Sequence, residues 1–375
     1  MQLYRALFLS ILILLTSCSQ MKKAENFISG LSQKEKYKQD HNIPDEIYNL
    51  WEDRVEVALD DSLEIELPYQ EVGEFKPRNF AIYSYQTYLI PGEVLKAEIV
   101  TDSTHTKVFQ ELYKQNSDGF KKIKSGNAEG EKLSFEIEEK GLYKIIFQPE
   151  IEAHTRFSIR IFKSPGYSFP VLNGKNADIG SYWGDIRDGG RRNHEGIDIF
   201  AERGTPVIAA TSGRIRFTGV KGLGGKQVWL RDVKRRQSLY YAHLDSIKPD
   251  LNSVDRGDTL GFVGNTGNAK TTPPHLHFGI YKSGRGALDP IGYVYLPDNE
   301  KDFSLDNEKI TSRLEITTSK ANFRNKPATN NSRIVRTGLK GELVMVLGKS
   351  NSWYHVRDGL NRSMFIHESL VKPVG

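Results

Sequence analysis

The chain has 375 residues, enough for two or three domains at about 150 residues each, and its 38% hydrophobic and 26% charged content is ordinary for a folded protein. Its 52 Lys and Arg against 47 Asp and Glu leave a net charge of +5, too small a bias to argue for a nucleic-acid partner. A single cysteine, Cys18, excludes both a disulfide framework and a thiolate zinc site, since each needs more than one thiol.

In chain order, Arg5 is the only charge among residues 1–17, and Ala6–Leu15 follows it as an almost unbroken apolar run. Ten helical residues rise about 15 Å, half of a ~30 Å hydrocarbon core, so this run does not span a membrane. A positive start, an apolar stretch and small residues are the pattern of an export signal. The tail Leu15-Thr16-Ser17-Cys18 resembles the bacterial lipobox, which implies lipid on Cys18, removal of residues 1–17 and attachment to a membrane of the cell envelope. An ordinary signal peptide with an incidental cysteine is the competing reading.

Residues 18–61 are polar and lysine-rich and read as a tether with one short helix, started by Ile43-Pro44-Asp45-Glu46. Residues 62–165 alternate apolar and polar at period two, as in Val94–Val100 and Phe157–Phe162, which predicts a β-sandwich-like domain. Residues 166–296 are glycine-rich with further strands; 297–312 form a charged linker; 313–375 carry short strands separated by Gly and Asn turns. The predicted fold class is therefore mainly β throughout. Gly222–Lys226 reads as a hairpin turn and Lys234-Arg235-Arg236 as a solvated one.

Four of the nine histidines, His194, His243, His275 and His277, fall within residues 194–277. His194-Glu195-Gly196-Ile197-Asp198 has the spacing of a helical metalloprotease motif, but Gly196 and two β-branched residues oppose a helix. In a strand, i and i+4 share a face, which brings His194 and Asp198 together and turns Glu195 away. In Pro274-His275-Leu276-His277-Phe278 the two histidines share one face of a strand, about 7 Å apart, with Leu276 and Phe278 towards a core. Two histidines and a carboxylate form a three-ligand set that suits zinc and leaves one position for water, whose pKa zinc lowers towards ~7.

Taken together, His194-x-x-x-Asp198 and His275-x-His277 resemble the lysostaphin-type (LytM-like) zinc metallopeptidases. So do Ser181-Tyr182-Trp183-Gly184, Gly204-Thr205-Pro206-Val207, Tyr241-Ala242-His243-Leu244 and Val263-Gly264-Asn265-Thr266-Gly267. The likeness covers about residues 175–295. It implies an antiparallel sheet domain, one zinc per chain on His194, Asp198 and His277, catalytic His243 and His275, and peptidoglycan as substrate. Two departures are Ala269–Pro274, in place of the family's Ser-Thr-Gly run, and Gly279, where an acidic residue is common.

The last sixty residues, with Ala321–Pro327 and Trp353-Tyr354, resemble bacterial SH3-like barrels that bind cell-wall peptides. The expectation is a lipid-anchored zinc metalloendopeptidase that cuts peptidoglycan cross-links in the envelope, with no nucleic-acid partner. The alternative is a non-catalytic wall-binding scaffold or an activator of another hydrolase, against which stands the retention of all five key residues.

Overall fold

A computed structural model describes residues 30–126, 132–297 and 311–374. Cys18 and the export signal lie outside the described residues, as does most of the 297–312 linker. The fold is mainly β, built of antiparallel sheets, as the alternation predicts. No helix among the described residues is long and apolar enough to cross a membrane.

The stretch expected to be a tether is more ordered than the sequence reading allows. It forms three helices, Gln33–Asp40, Asp45–Glu52 and Arg54–Asp60. The first starts with a capping box: the Ser32 hydroxyl accepts from the Glu35 backbone N–H while the Glu35 carboxylate accepts from that of Ser32. Burial supplies what the weak apolar pattern did not advertise. Tyr37, Tyr48 and Trp51 pack on Phe109 and Ile151, and the Trp51 indole donates to the Pro149 carbonyl at 2.9 Å. Val55 and Ala58 pack on Tyr113 and Ile146. The helices thus cover the outer face of a four-stranded sheet, ordered Tyr83–Leu89, Gly141–Pro149, Val108–Asn116, Gly119–Ser125.

The inner face of that sheet meets a second one, ordered Tyr69–Phe75, Thr155–Pro165, Glu93–Thr101, Leu133–Glu136. Inward-facing residues at alternate positions fill the space between them, with Phe75 stacked on Phe157 at 4.3 Å and Tyr83 edge-on to Phe157 at 4.8 Å.

The second sheet continues into the C-terminal strands. Tyr69–Phe75 pairs with Leu343–Ser350 through Val72 opposite Lys349 and Gly73 opposite Gly348. The backbones approach closely because Gly348 lacks a side chain; a Cβ there would stand 2.2 Å from Glu71 Oε1. Glu71 and His355 are fully buried and paired, His355 Nδ1 donating to Glu71 Oε1 at 3.0 Å while the Tyr69 hydroxyl donates to Oε2 at 2.5 Å. Leu347, Trp353 and Phe365 lie in the same apolar core as the N-terminal sandwich. Burying part of the C-terminal strands this way leaves them a small core of their own, Leu314, Ile316, Phe323, Val346, Val356, Met364 and Ile366.

Between these regions residues 166–296 form a separate core around Ile197, Ile199, Val228, Leu239, Tyr241, Leu276 and Phe278. The turn at Lys234–Arg236, expected to be solvated, instead joins the two regions. Arg235 pairs with Glu136 of the sandwich at 2.5 Å and with Asp232 at 3.1 Å, and it lies over the Tyr167 ring. Guanidinium planarity makes this three-way contact geometrically natural.

Because the sandwich and the C-terminal strands share one core, Phe365→Ala should lower unfolding free energy by about 3–5 kcal/mol. Amide exchange should accelerate in Tyr69–Phe75 and Tyr83–Leu89 as well as in Trp353–Arg357. Acceleration confined to the C-terminal strands would show two independent units.

Candidate metal centre

The sheet of residues 166–296 runs in the order Ser253–Val254, Gly213–Val220, Lys226–Asp232, Gln237–Leu244, His275–Lys282, Ile197–Phe200, Ile179–Ser181. Register sets the site. Asp198 lies opposite His277 and Phe200 opposite His275, while Ala242, next to His243, lies opposite His277 on the other flank. Side chains opposite one another on neighbouring strands share a face, so the carboxylate and imidazole project together.

His194 reaches them by a different route from the one its spacing suggests. The strand begins only at Ile197, so the i, i+4 argument does not apply to an extended segment. Instead the preceding loop folds back: the His194 N–H donates to the Asp185 carbonyl, and the Gly184 N–H to the His194 carbonyl, each at 2.8 Å. Gly196 permits the turn inward, since a Cβ there would stand 2.5 Å from the Phe278 carbonyl and 2.9 Å from His277 Nε2. Glu195 points away and accepts from the Tyr281 hydroxyl at 3.2 Å.

Three ligand-type atoms converge. His194 Nε2 is 3.0 Å from Asp198 Oδ1 and 2.9 Å from His277 Nδ1, and the last two are 2.9 Å apart. His194 Nδ1 lies 2.8 Å from the Tyr182 carbonyl, which can only accept, so that nitrogen carries the proton and Nε2 offers a lone pair. Burial raises the Asp198 carboxyl, but the adjoining His194 and then His277 rings outweigh it and hold the group well below the usual carboxylate range. Lone pairs and an anionic oxygen packed this closely repel unless a cation or a shared proton sits among them. Two imidazole nitrogens and one carboxylate oxygen fit a divalent metal of the zinc type.

The other two histidines stand alongside. The His243 ring is 5.0 Å from His275 and 5.9 Å from His277. His243 Nδ1 donates to the Thr266 carbonyl and His275 Nδ1 to the Pro273 carbonyl, both at 2.9 Å, which leaves each Nε2 as an acceptor in the neutral ring. Burial, and then the proximity of His277 and His275, push His243 down to about 4, so it is uncharged at neutral pH. Its backbone has φ of +63°, unusual for a non-glycine residue and a strain that its surroundings must maintain.

All five sequence-predicted residues of this region therefore meet on one sheet face. Sequence reasoning missed Arg187, whose Nη2 donates to Asp198 Oδ2 at 2.8 Å and also contacts Ser181 Oγ, fixing the carboxylate so that Oδ1 faces the histidines. No spacing signalled it. The aromatic row beside the site was signalled, weakly, by alternation: Trp229 packs on Tyr240 at 4.5 Å, and Tyr240 on His277 at 5.6 Å. Tyr182 and Trp183, just beyond the strand Ile179–Ser181 on the other flank of the sheet, are about half exposed.

A buried three-ligand centre flanked by two oriented histidines on an antiparallel sheet defines a metal-dependent hydrolase. Residues 192–290, which include His194, Asp198, His243, His275 and His277, match Peptidase family M23, and the chain thus carries a metallo-endopeptidase domain of that family. It is 35% identical over 154 residues to the L-Ala–D-Glu endopeptidase of Bacillus subtilis (strain 168), covering 36% of this chain and 47% of that protein. It is 40% identical over 109 residues to the DD-carboxypeptidase/endopeptidase Mpg of Neisseria meningitidis, covering 29% of this chain and 24% of that protein. Against the solved catalytic domain of lysostaphin from Staphylococcus simulans the identity is 32%, with 32% of this chain and 92% of that one covered and a TM-score of 0.29. The chain spans about half the length of the first of these curated relatives and a quarter of the second.

Substituting His277 removes one corner of the ligand triangle. His277→Ala should retain less than a tenth of the metal found in the parent protein by elemental analysis. Full retention would remove His277 from the ligand set.

Proposed function

We propose that this chain is a zinc metalloendopeptidase that hydrolyses amide bonds in the peptide cross-links of peptidoglycan, held to an envelope membrane by lipid on Cys18. The observation that carries the reading is the convergence of His194 Nε2, Asp198 Oδ1 and His277 Nδ1 beside two histidines whose Nε2 atoms are left as acceptors. The relatives are named as endopeptidases for L-Ala–D-Glu and glycyl-glycine bonds and as a DD-carboxypeptidase/endopeptidase. This supports a peptide substrate with D-amino acids or glycine and leaves the particular bond to experiment.

His194, Asp198 and His277 would hold the zinc, which when bound supplies Lewis acidity to the scissile carbonyl and to the attacking water. The remaining steps belong to the protein. One of His243 and His275 takes the proton from the attacking water at Nε2. The other, once protonated at Nε2, hydrogen-bonds the carbonyl oxygen as negative charge grows there, and the ring that took the water's proton gives it to the departing amine. The carbonyls of Thr266 and Pro273 keep both rings turned for these transfers. Arg187 keeps Asp198 aligned. Tyr182 and Trp183 on one side, and Tyr240 with Trp229 on the other, position an extended peptide between them.

The C-terminal strands would add a wall-binding function of the SH3-like kind, raising the local concentration of substrate around the metal centre. The lipid on Cys18 sets the reach.

Digestion of purified cell-wall muropeptides followed by mass spectrometry tests the activity and identifies the bond. The expected result is loss of cross-linked species with one water added per cut. His243→Ala should keep its metal and lose at least 100-fold in turnover, the usual worth of a general acid–base group. No cleavage by the metal-loaded parent would leave a wall-binding scaffold as the better reading. For the anchor, Cys18→Ser should move the protein from the membrane to the soluble fraction.

A further inference from the structure

A groove of about 320 Å³ lies far along the chain from the metal ligands, where the helix Arg54–Asp60, the Phe80 and Ile82 segment and the loop 358–363 meet. Its rims are apolar and open to solvent: Val57 is 54% and Leu360 74% exposed. Phe80, Ile82 and Val335 line it further in.

At its base sits a charge without a counter-charge. Arg357 is only 9% exposed, and its Nη2 donates to the neutral Asn79 Oδ1 at 2.5 Å and contacts Met345 Sδ at 3.6 Å. Among the described residues no carboxylate pairs with it. Burial lowers its pKa against a partly opposing pull from Tyr83, and Arg54, a second guanidinium lining the same groove, lowers it further. Arg362 is already paired with Asp358. Of the two acids present, Asp61 is turned to the Ser84 hydroxyl and Lys144, and Asp60 stands exposed at the rim. A largely buried guanidinium whose partners Asn79 and Met345 are neutral leaves its charge for an incoming anion to pair.

We propose that this groove is a second peptide-binding site, which receives the free carboxylate of a short cell-wall peptide between Arg357 and Arg54. Planar guanidinium matches a carboxylate in a two-bond fork. The apolar walls suit alanine methyls, and Asp60 at the rim suits the side-chain amine of a diamino acid. One peptide thus offers a partner to each of the cation, the apolar wall and the anion that line the groove. The site would hold a product or uncut strand while the metal centre works on its neighbour. The substrate class rests on the function proposed above; the anion requirement rests on Arg357 alone.

The test is calorimetric titration of the full chain carrying His277→Ala, so that neither hydrolysis nor the metal centre captures the ligand. The probes are the soluble stem peptide L-Ala-γ-D-Glu-L-Lys-D-Ala-D-Ala, its C-terminal amide, and decanoate. The acid should bind at least tenfold more tightly than the amide. Arg357→Gln should lose that preference, and Arg54→Ala and Leu360→Asp, on the rim where folding is indifferent to them, should each weaken binding by severalfold. Equal affinity for acid and amide, rim variants that bind normally, or binding of decanoate without the peptide would each overturn the proposal. Muropeptide cleavage by the parent enzyme is read separately, so failure of this groove and failure of the hydrolase reading give different results.

Discussion

Crowding of three electron-rich atoms into a triangle with sides of 2.9–3.0 Å is the constraint on which the peptidase region depends. A bound cation or a shared proton has to relieve it, and each surrounding feature acts as a restraint. Strand register sets Asp198 against His277, and the backbone bonds to Asp185 and Gly184 drive His194 inward. Arg187 holds the far carboxylate oxygen, and the Tyr182 carbonyl takes the one proton His194 has to give. The buried apolar face beneath, with Ile197, Ile199, Leu276 and Phe278, prevents either strand from slipping by a residue, since a slip would exchange the core face for the metal face.

The same logic of alternation explains what the sequence discloses. Asp198, His275 and His277 were legible because strand geometry is rigid at period two, and neighbouring apolar residues fix which face is which. His194 was legible as a partner but for an inexact reason: its convergence comes from a folded loop, and loop shape has no period. Arg187 and the carbonyls of Thr266 and Pro273 left no trace, because contacts made by backbone atoms or across a hairpin depend on tertiary placement. The early helices illustrate the opposite case. Ser32 and Glu35 already spelled a capping box, but lysine-rich composition masked it until Trp51 and Tyr37 were seen to be buried.

Segment boundaries read from composition divide the chain more cleanly than its cores do. The strands after residue 312 supply Leu347, Trp353 and Phe365 to the sandwich, and the buried Glu71–His355 pair fastens the two together. A small set of strands that lends its aromatic residues to a neighbour has fewer left for itself. This is why Trp353 serves as interior packing, only 9% exposed, rather than as an open platform. The groove beside Arg357 exists only because these two distant stretches are joined.

Pairing between residues 69–75 and 343–350 also bears on how the polypeptide matures. The first half of the sandwich emerges with an unmated edge and an acidic side chain, Glu71, lacking its imidazole. Completion waits for segments translated almost three hundred residues later. Contacts of such long sequence separation form slowly. A chain built on this plan keeps that edge open, and its buried carboxylate unpaired, until its last strands arrive.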